Sequence, residues 1–307
     1  MIEIKKWFVV YSYINMHTKK WFKPVVAIVI LLLVFMLFAY YIVNHQQIIT
    51  NLEHINPWLL AVLLMGYVIM LFWLMNVYNA TLELCSQPLA AKENLLLTIY
   101  STLANFFLPL QSGPGVRAAY LNKRHKVNVS SYILSILVYL GIYAIISAGL
   151  LFVASNYWLL AIPSIIVAAI ISYYVITITR SRLEKKTTHL TLHITRSKLL
   201  KLTIVTLGQI ITQAMIYGVE LNSLHIPITI RRVISYTGAA NFSLYVSLTP
   251  GAIGFREAFL EFSQQIHHFS TNAIIAANII DRGVFLLFLA ILFIVLLITH
   301  TKDRLKL

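Results

Sequence analysis

Charge is what this 307-residue chain has least of: Asp, Glu, Lys and Arg make up 11% of it, against 59% hydrophobic residues. Soluble domains carry roughly 25% charged residues, so an ordinary water-facing surface is excluded. Acidic residues are the scarcest, at 10 against 24 Lys and Arg, and only Asp281 and Asp303 are aspartates. That leaves little material for an acid–base centre. A single cysteine, Cys85, excludes an intramolecular disulfide and any multi-cysteine metal site. There is no Gly-x-x-x-x-Gly-Lys-Ser/Thr loop for a nucleotide phosphate and no His-Glu-x-x-His metal signature. His189 and His193 are four apart in a basic loop, and His267 and His268 are adjacent in another. Both pairs read as solvated surface, because isolated histidine pairs lack further ligands.

What the chain has instead is apolar length. Runs at 24–43, 57–79, 130–153, 157–178, 199–220 and 273–299 reach the ~20 residues needed to cross a hydrocarbon core. The first comes after Lys19, Lys20 and Lys23 and has no small-residue cleavage site before Asn44, so it reads as a retained anchor. Trp21, Trp58 and Trp158 sit at span ends, where amphipathic rings favour the headgroup zone. No segment is long and polar enough for a separate soluble domain. Residues 1–307 therefore read as one integral membrane domain, an all-α polytopic helix bundle. The net charge of +14 falls in short clusters beside the spans: Lys5 to Lys23, Arg117 to Lys126, Arg180 to Lys201 and Lys302 to Lys306. This is a membrane-facing belt, not a nucleic-acid footprint.

One stretch occurs twice. LANFFLPLQSGPGVRAAYL (103–121) returns as AANFSLYVSLTPGAIGFREAFL (239–260), aligning Asn105 with Asn241 and, after a Pro/Gly-rich break, Arg117 with Arg256. The breaks contain Pro109, Gly113 and Gly115 in the first copy and Pro250, Gly251 and Gly254 in the second, where a helix cannot run smoothly. If each copy crosses the membrane, Lys and Arg divide almost evenly between the two sides. If each dips in and returns, only Arg231, Arg232 and Arg256 fall outside, with Arg282 inside a span. The positive-inside rule favours the second arrangement. It predicts about six spans plus two re-entrant hairpins, about 94–112 and 233–251, with both termini cytoplasmic. The halves, about 24–153 and 157–299, would then form an inverted repeat, the architecture of alternating-access transporters.

The polar residues inside this apolar frame are the site candidates. Arg117 and Arg256 open equivalent short helices, where free amides and a guanidinium suit an anion. Arg117, within a basic cluster, reads as an interface anchor; Arg256 reads equally as an anion contact or as a local partner of Glu257 or Glu261. Asp281 and Arg282 lie in the last span with Asn278 one turn earlier, and pair with each other or serve a substrate. Placing such a charge centrally costs about 2.5–3.5 kcal/mol on insertion scales. Thr206, Gln209, Gln213, Tyr217 and Glu220 form a polar lane down the fifth span, suited to a groove or to interhelical hydrogen bonds. Thr98, Ser101, Thr102 and Asn105, with Thr237, Asn241 and Ser243, satisfy broken backbone or touch substrate. Phe255, Phe259 and Phe262 share a face that fits against a membrane surface. Gly141, Ala144 and Ala148 make a close-packing face.

NFFLPLQSGPGVR and SLTPGAIGFREAF together resemble the lysylphosphatidylglycerol synthase transmembrane family. This is the flippase-like membrane region of the multiple peptide resistance factor and of stand-alone or glycosyltransferase-fused relatives. Pro250, Gly251, Gly254, Arg256 and Glu257 match its second signature, Asn105, Pro109, Gly113, Gly115 and Arg117 its first, and Arg282 the arginine of its last span. The resemblance covers roughly 24–300 and implies a lipid flippase working on aminoacylated phosphatidylglycerol or a related lipid. No soluble aminoacyltransferase domain comes after residue 307, so the chain is not expected to make that lipid, and Ala252 stands in a segment that is often richer in Gly among relatives.

The function expected is transport, not catalysis: a phospholipid or lipid-linked molecule moved between leaflets of the cell membrane, with no cofactor or metal. Arg256, Arg282 and Arg117 would meet phosphate, and Glu257 and Asp281 would orient them or meet a cationic headgroup. Two alternatives stay open, an intramembrane enzyme on lipid headgroups and a scaffold for a separate synthase or glycosyltransferase. Assembly with further copies of the chain is also left open.

Overall fold

The computed structural model describes residues 56–107, 112–153, 155–184, 192–224, 227–246 and 255–304. The expected first span, 24–43, lies outside them, as do Pro109, Pro250, Gly251 and Gly254. The described residues are helical almost throughout, with no strand among them. In chain order the helices are α1 (Pro57–Leu84), α2 (Ala91–Phe107), α3 (Gly113–His125), α4 (Val129–Val153) and, after a 3-10 turn, α5 (Ala161–Glu184). Then come α6 (Arg196–Ser223), α7 (Ile230–Val246), α8 (Phe255–Phe262), α9 (Gln264–His267) and α10 (Thr271–Arg304).

Five segments among the described residues are long and apolar enough to cross a membrane: Pro57–Leu84, Val129–Val153, Trp158–Glu184, Arg196–Ser223 and Thr271–Ile298. They coincide with the five expected runs after residue 55. The chain is a multi-pass, all-α membrane protein. Its α5 turns Ile162, Ile166, Val167, Ile170, Ile171 and Tyr173 outward, a face that suits lipid and not water. α5 is held to α4 through small residues, as expected for Gly141, Ala144 and Ala148. Ser164 donates to the Ala148 carbonyl at 3.0 Å, and a Cβ on Gly141 would stand 3.1 Å from Ser172.

α1 and α6 pack side by side along their length and run antiparallel. At one end the His193 amide donates to the Leu84 carbonyl (2.8 Å), and Lys201 meets the Glu83 carboxylate (2.5 Å). Midway, Gly208 lets the Trp73 ring approach to where a Cβ would be 2.6 Å away, and Gly66 does the same for Ile216. Leu59 and Leu60 share a cluster with Leu224 at the far end. Each helix begins on a cap that its sequence supplies: Asn56 accepts from the Trp58 amide before Pro57, and Thr195 from the Lys198 amide.

The segments after α1 and after α6 are built alike. Both helices of the pair have 28 residues, and both are succeeded by a 17-residue helix, α2 or α7. Seventeen residues span about 25 Å, short of a ~30 Å core. After each, the chain doubles back. α3 returns along α2: Gly113 packs against Asn105 near the turn, and Tyr120 and His125 reach Glu93 at the start. α8 and α9 return along α7: Phe259 meets Phe242, His267 meets Tyr236, and Arg232 donates to the His267 and His268 carbonyls. The out-and-back path thus takes in more chain than 94–112 and 233–251, because the return arms are helices of their own. Gly113 and Gly115 lie in the first turn of α3 and not in a break. Gly113 is needed because any Cβ would strike the Ser101 carbonyl and come within 2.5 Å of Asn105 Oδ1. Since α1 and α6 are antiparallel, the two fold-backs open at opposite ends of that pair.

Candidate functional site

Arg117 and Arg256 hold matching places in the two fold-backs, and both are buried. Arg117 donates through Nη2 to Asn94 Oδ1 (2.7 Å) and through Nη1 to Thr98 Oγ1 (3.3 Å), which staples α3 to α2. Its guanidinium lies 4.1 Å over the Tyr78 ring. The interface-anchor reading is therefore corrected. The surface basics of that cluster are Lys123, Arg124 and Lys126, while Arg117 is wholly enclosed. The Arg256 guanidinium lies 4.9 Å over the Tyr217 ring. Tyr78 and Tyr217 each stand six residues before the end of their helices, at Leu84 and Ser223.

The two arginines differ in their counter-ions. Arg256 Nη1 donates to Asp281 Oδ2 on α10, and the Tyr67 hydroxyl of α1 donates to the other oxygen of that carboxylate. Arg282, one residue on, donates through Nε (3.1 Å) and Nη2 (2.7 Å) to Glu257 Oε1 on α8. The local pairings Arg256–Glu257, Arg256–Glu261 and Asp281–Arg282 are thus replaced by a crossed pair between α8 and α10. Successive residues on a helix point about 100° apart, so neighbours in sequence are poorly placed to pair, whereas facing helices can be.

Glu220 of α6 is enclosed beside Asp281 and Arg256, and its Oε1 has no hydrogen-bond partner among the described residues. Gln213 donates to the Tyr217 hydroxyl (2.7 Å), and Gln209 accepts from Tyr139 of α4 (3.1 Å). Thr206 is buried, its hydroxyl donating to the Leu202 carbonyl. The polar lane of α6 therefore faces the protein interior along its length. Its upper part belongs to the Arg256 site, and Gln209 belongs to a separate contact with α4.

The chemical capacity of this junction lies in what remains unpaired. Arg256 Nε and Nη2, adjacent on one edge of the guanidinium, have no partner among the described residues. That edge is the one that makes two parallel bonds to a carboxylate or phosphate. The Tyr236 hydroxyl, Gln213 Oε1 and both amide atoms of Asn241 and of Asn278 are likewise buried, with no partner among the described residues. Buried polar atoms are satisfied in the great majority of cases, so this concentration makes the junction the candidate site.

Other candidates have structural duties. Asn105 accepts from the Gly113 amide (2.7 Å). Thr98, Ser101, Thr102 and Thr237 return their hydroxyls to carbonyls one turn earlier, as Ser243 does to Ala240. The stripe on α8 is not a membrane face as a whole. Phe259 packs on Phe242 at 5.6 Å between ring centroids, and Phe262 alone is exposed, the Phe255 side chain being outside the described residues. His267 also departs from expectation: it is buried, Nε2 lying 2.9 Å from the Leu260 carbonyl and Nδ1 accepting from the Phe269 amide, while His268 is exposed. At the opposite fold-back, hydrogen bonds from Tyr120 and His125 hold the Glu93 carboxyl below its ordinary range. Tyr67, Tyr78 and Asn94 escaped the sequence reading. Their one signal is a polar atom within or beside an apolar run, which must find a partner there.

The family model described as the lysylphosphatidylglycerol synthase TM region matches residues 24–293. No curated protein and no solved structure matches the chain.

Proposed function

Because the chain belongs to the lysylphosphatidylglycerol synthase transmembrane family, we propose that it moves an anionic phospholipid or lipid-linked molecule between membrane leaflets. The carrying observation is a buried Arg256 whose Nη1 is fixed by Asp281 and whose Nε–Nη2 edge has no partner among the described residues. A guanidinium held in this way presents a preorganised fork to a headgroup phosphate at low reorganisation cost. Arg282 and Glu257 support it by binding α8 to α10. Asn241, Asn278 and Gln213 offer hydrogen bonds to the rest of the headgroup, while the acyl tails stay in lipid.

In this reading the two fold-backs are re-entrant hairpins, the halves an inverted repeat, and both termini are cytoplasmic in the cell membrane. The antiparallel α1–α6 pair and the matched lengths around it support that arrangement. Rocking of the halves about the pair would expose Arg256 to each side in turn. The protein acts on the lipid without converting it.

The test is reconstitution into liposomes containing a fluorescent phosphatidylglycerol whose outer-leaflet fraction is read by chemical quenching. Wild type should speed transbilayer movement. Arg256→Lys keeps the charge but removes the fork, and should slow movement roughly 10- to 100-fold, the range for a lost charged hydrogen bond. A folded Arg256→Lys protein moving lipid at the wild-type rate would overturn the site. Headgroup conversion detected by chromatography would favour the enzyme alternative, and unaltered lipid that does not move would favour the scaffold.

A further inference from the structure

The charges at the Arg256 junction do not balance. Arg282 and Glu257 close on each other, and Arg256 closes on Asp281. Glu220 is left over: it is buried one turn on from Tyr217, whose ring lies under the Arg256 guanidinium, and its Oε1 has no hydrogen-bond partner among the described residues. The groups facing it are Asp281 of α10, Arg256 of α8, Tyr67 of α1, Tyr217 of α6 itself and Tyr236 of α7. Of these only Arg256 is a cation, and it is already engaged; Asp281 also feels Arg282, the next residue on α10, which Glu257 holds. Two buried carboxyls that share the one guanidinium not already matched by Glu257 cannot both be ionised without a large penalty. The empty site is neutral when the Glu220–Asp281 pair holds one proton.

We propose that the Glu220–Asp281 pair couples headgroup binding to proton uptake, so that an anionic lipid crosses together with one proton. This rests on the transport reading above. When a phosphodiester takes the open edge of Arg256, the junction gains a negative charge. Asp281 must then give up part of its hold on Arg256, and the pair accepts a second proton. The loaded site is neutral again, and a neutral cargo is what a low-dielectric crossing favours. Release of the phosphate returns Arg256 to Asp281 and expels the proton on the opposite side. A proton is also the coupling ion that suits this geometry, because it binds between two carboxyl oxygens and needs neither a cage of ligands nor added volume. The two protons belong to the pair, so neither carboxyl alone is the carrier.

Two measurements test this. In the first, phosphatidylglycerol is added to weakly buffered protein in neutral detergent containing a pH-indicator dye. Wild type should take up about one proton per lipid bound, and Glu220→Gln/Asp281→Asn should take up none. In the second, labelled phosphatidylglycerol is followed in proteoliposomes under a pH gradient. A gradient of about one unit should hold the label roughly tenfold out of balance toward the alkaline side. Because the cargo is electroneutral, a membrane potential alone should leave the label even. Wild type that binds lipid without proton uptake overturns the proposal, whatever the double variant does, and so does a double variant with undiminished uptake. Movement that ignores the pH gradient sinks the coupling and leaves transport standing. Wild-type vesicles in which no lipid moves sink transport itself, and the coupling falls with it.

Discussion

At the scale of single residues, His267 shows how completely a polar group can be specified by its surroundings. Its Nε2 faces the Leu260 carbonyl and must donate, while its Nδ1 faces the Phe269 amide and must accept. Only the neutral ring satisfies both, and a second proton would bring two N–H groups together. Tyr236 and Phe269 pack on the ring. Burial, with smaller effects from His268 and Arg232 and an opposing one from the Leu260 carbonyl, lowers the imidazole to about 4. This fixes the direction of the pH effect. Above about pH 6.5 the ring is neutral in folded and unfolded chains alike. Below that, the unfolded chain binds a proton that the folded one refuses, so stability falls by about 1.4 kcal/mol per unit until about pH 4. Thermal unfolding in detergent between pH 7 and 4.5 measures it. The stability difference between wild type and His267→Gln should shrink as pH falls, and a constant difference would mean that the ring is free to protonate.

Among the elements, contacts between backbones decide more than hydrophobicity does. Gly238 of α7 is set against α4 so closely that a Cβ would strike the Leu151 amide and lie 2.7 Å from its Cα. Backbone cannot swing aside like a side chain, so Gly238→Ala must push the helices apart. A cost of about 1–3 kcal/mol is expected. Gly115, in the first turn of α3, has nothing among the described residues within 4 Å of the same position. Gly115→Ala should therefore stabilise by roughly 0.5–1 kcal/mol through helix propensity. Melting temperatures of the two variants in one detergent should move in opposite directions. This contrast marks the limit of what the sequence discloses. Span positions, the repeat and the charged residues of the last span were legible, because apolar length and charge are local properties. Which glycine is a close contact, and that Arg256 chooses Asp281 over Glu257, depend on the register between helices distant in the chain. Tyr67 is the clearest case: nothing near it in sequence announces a partner 214 positions away.

For the whole molecule, the antiparallel α1–α6 pair sets the geometry. Each of the two helices leads through a short link, 85–90 or 224–229, into its own fold-back. Glu93 and His125 mark the opening of the first, and Arg232 and His268 that of the second. With α1 and α6 opposed, these openings cannot lie at the same end of the pair. If α1 and α6 both cross the membrane, the openings face opposite compartments, and in the proposed topology the first, with exposed Lys123, Arg124 and Lys126, is the cytoplasmic one. Cys85 is the only cysteine and is buried, so a Cys85→Ser background makes the test direct. A cysteine replacing exposed Lys123 should react with an impermeant maleimide only after cells are permeabilised. One replacing exposed His268 should react in intact cells. Labelling of both from one side would mean that α1 or α6 does not span, and the two arginine sites would then open to the same compartment. A headgroup handed from one leaflet to the other needs the second opening to face away from the first.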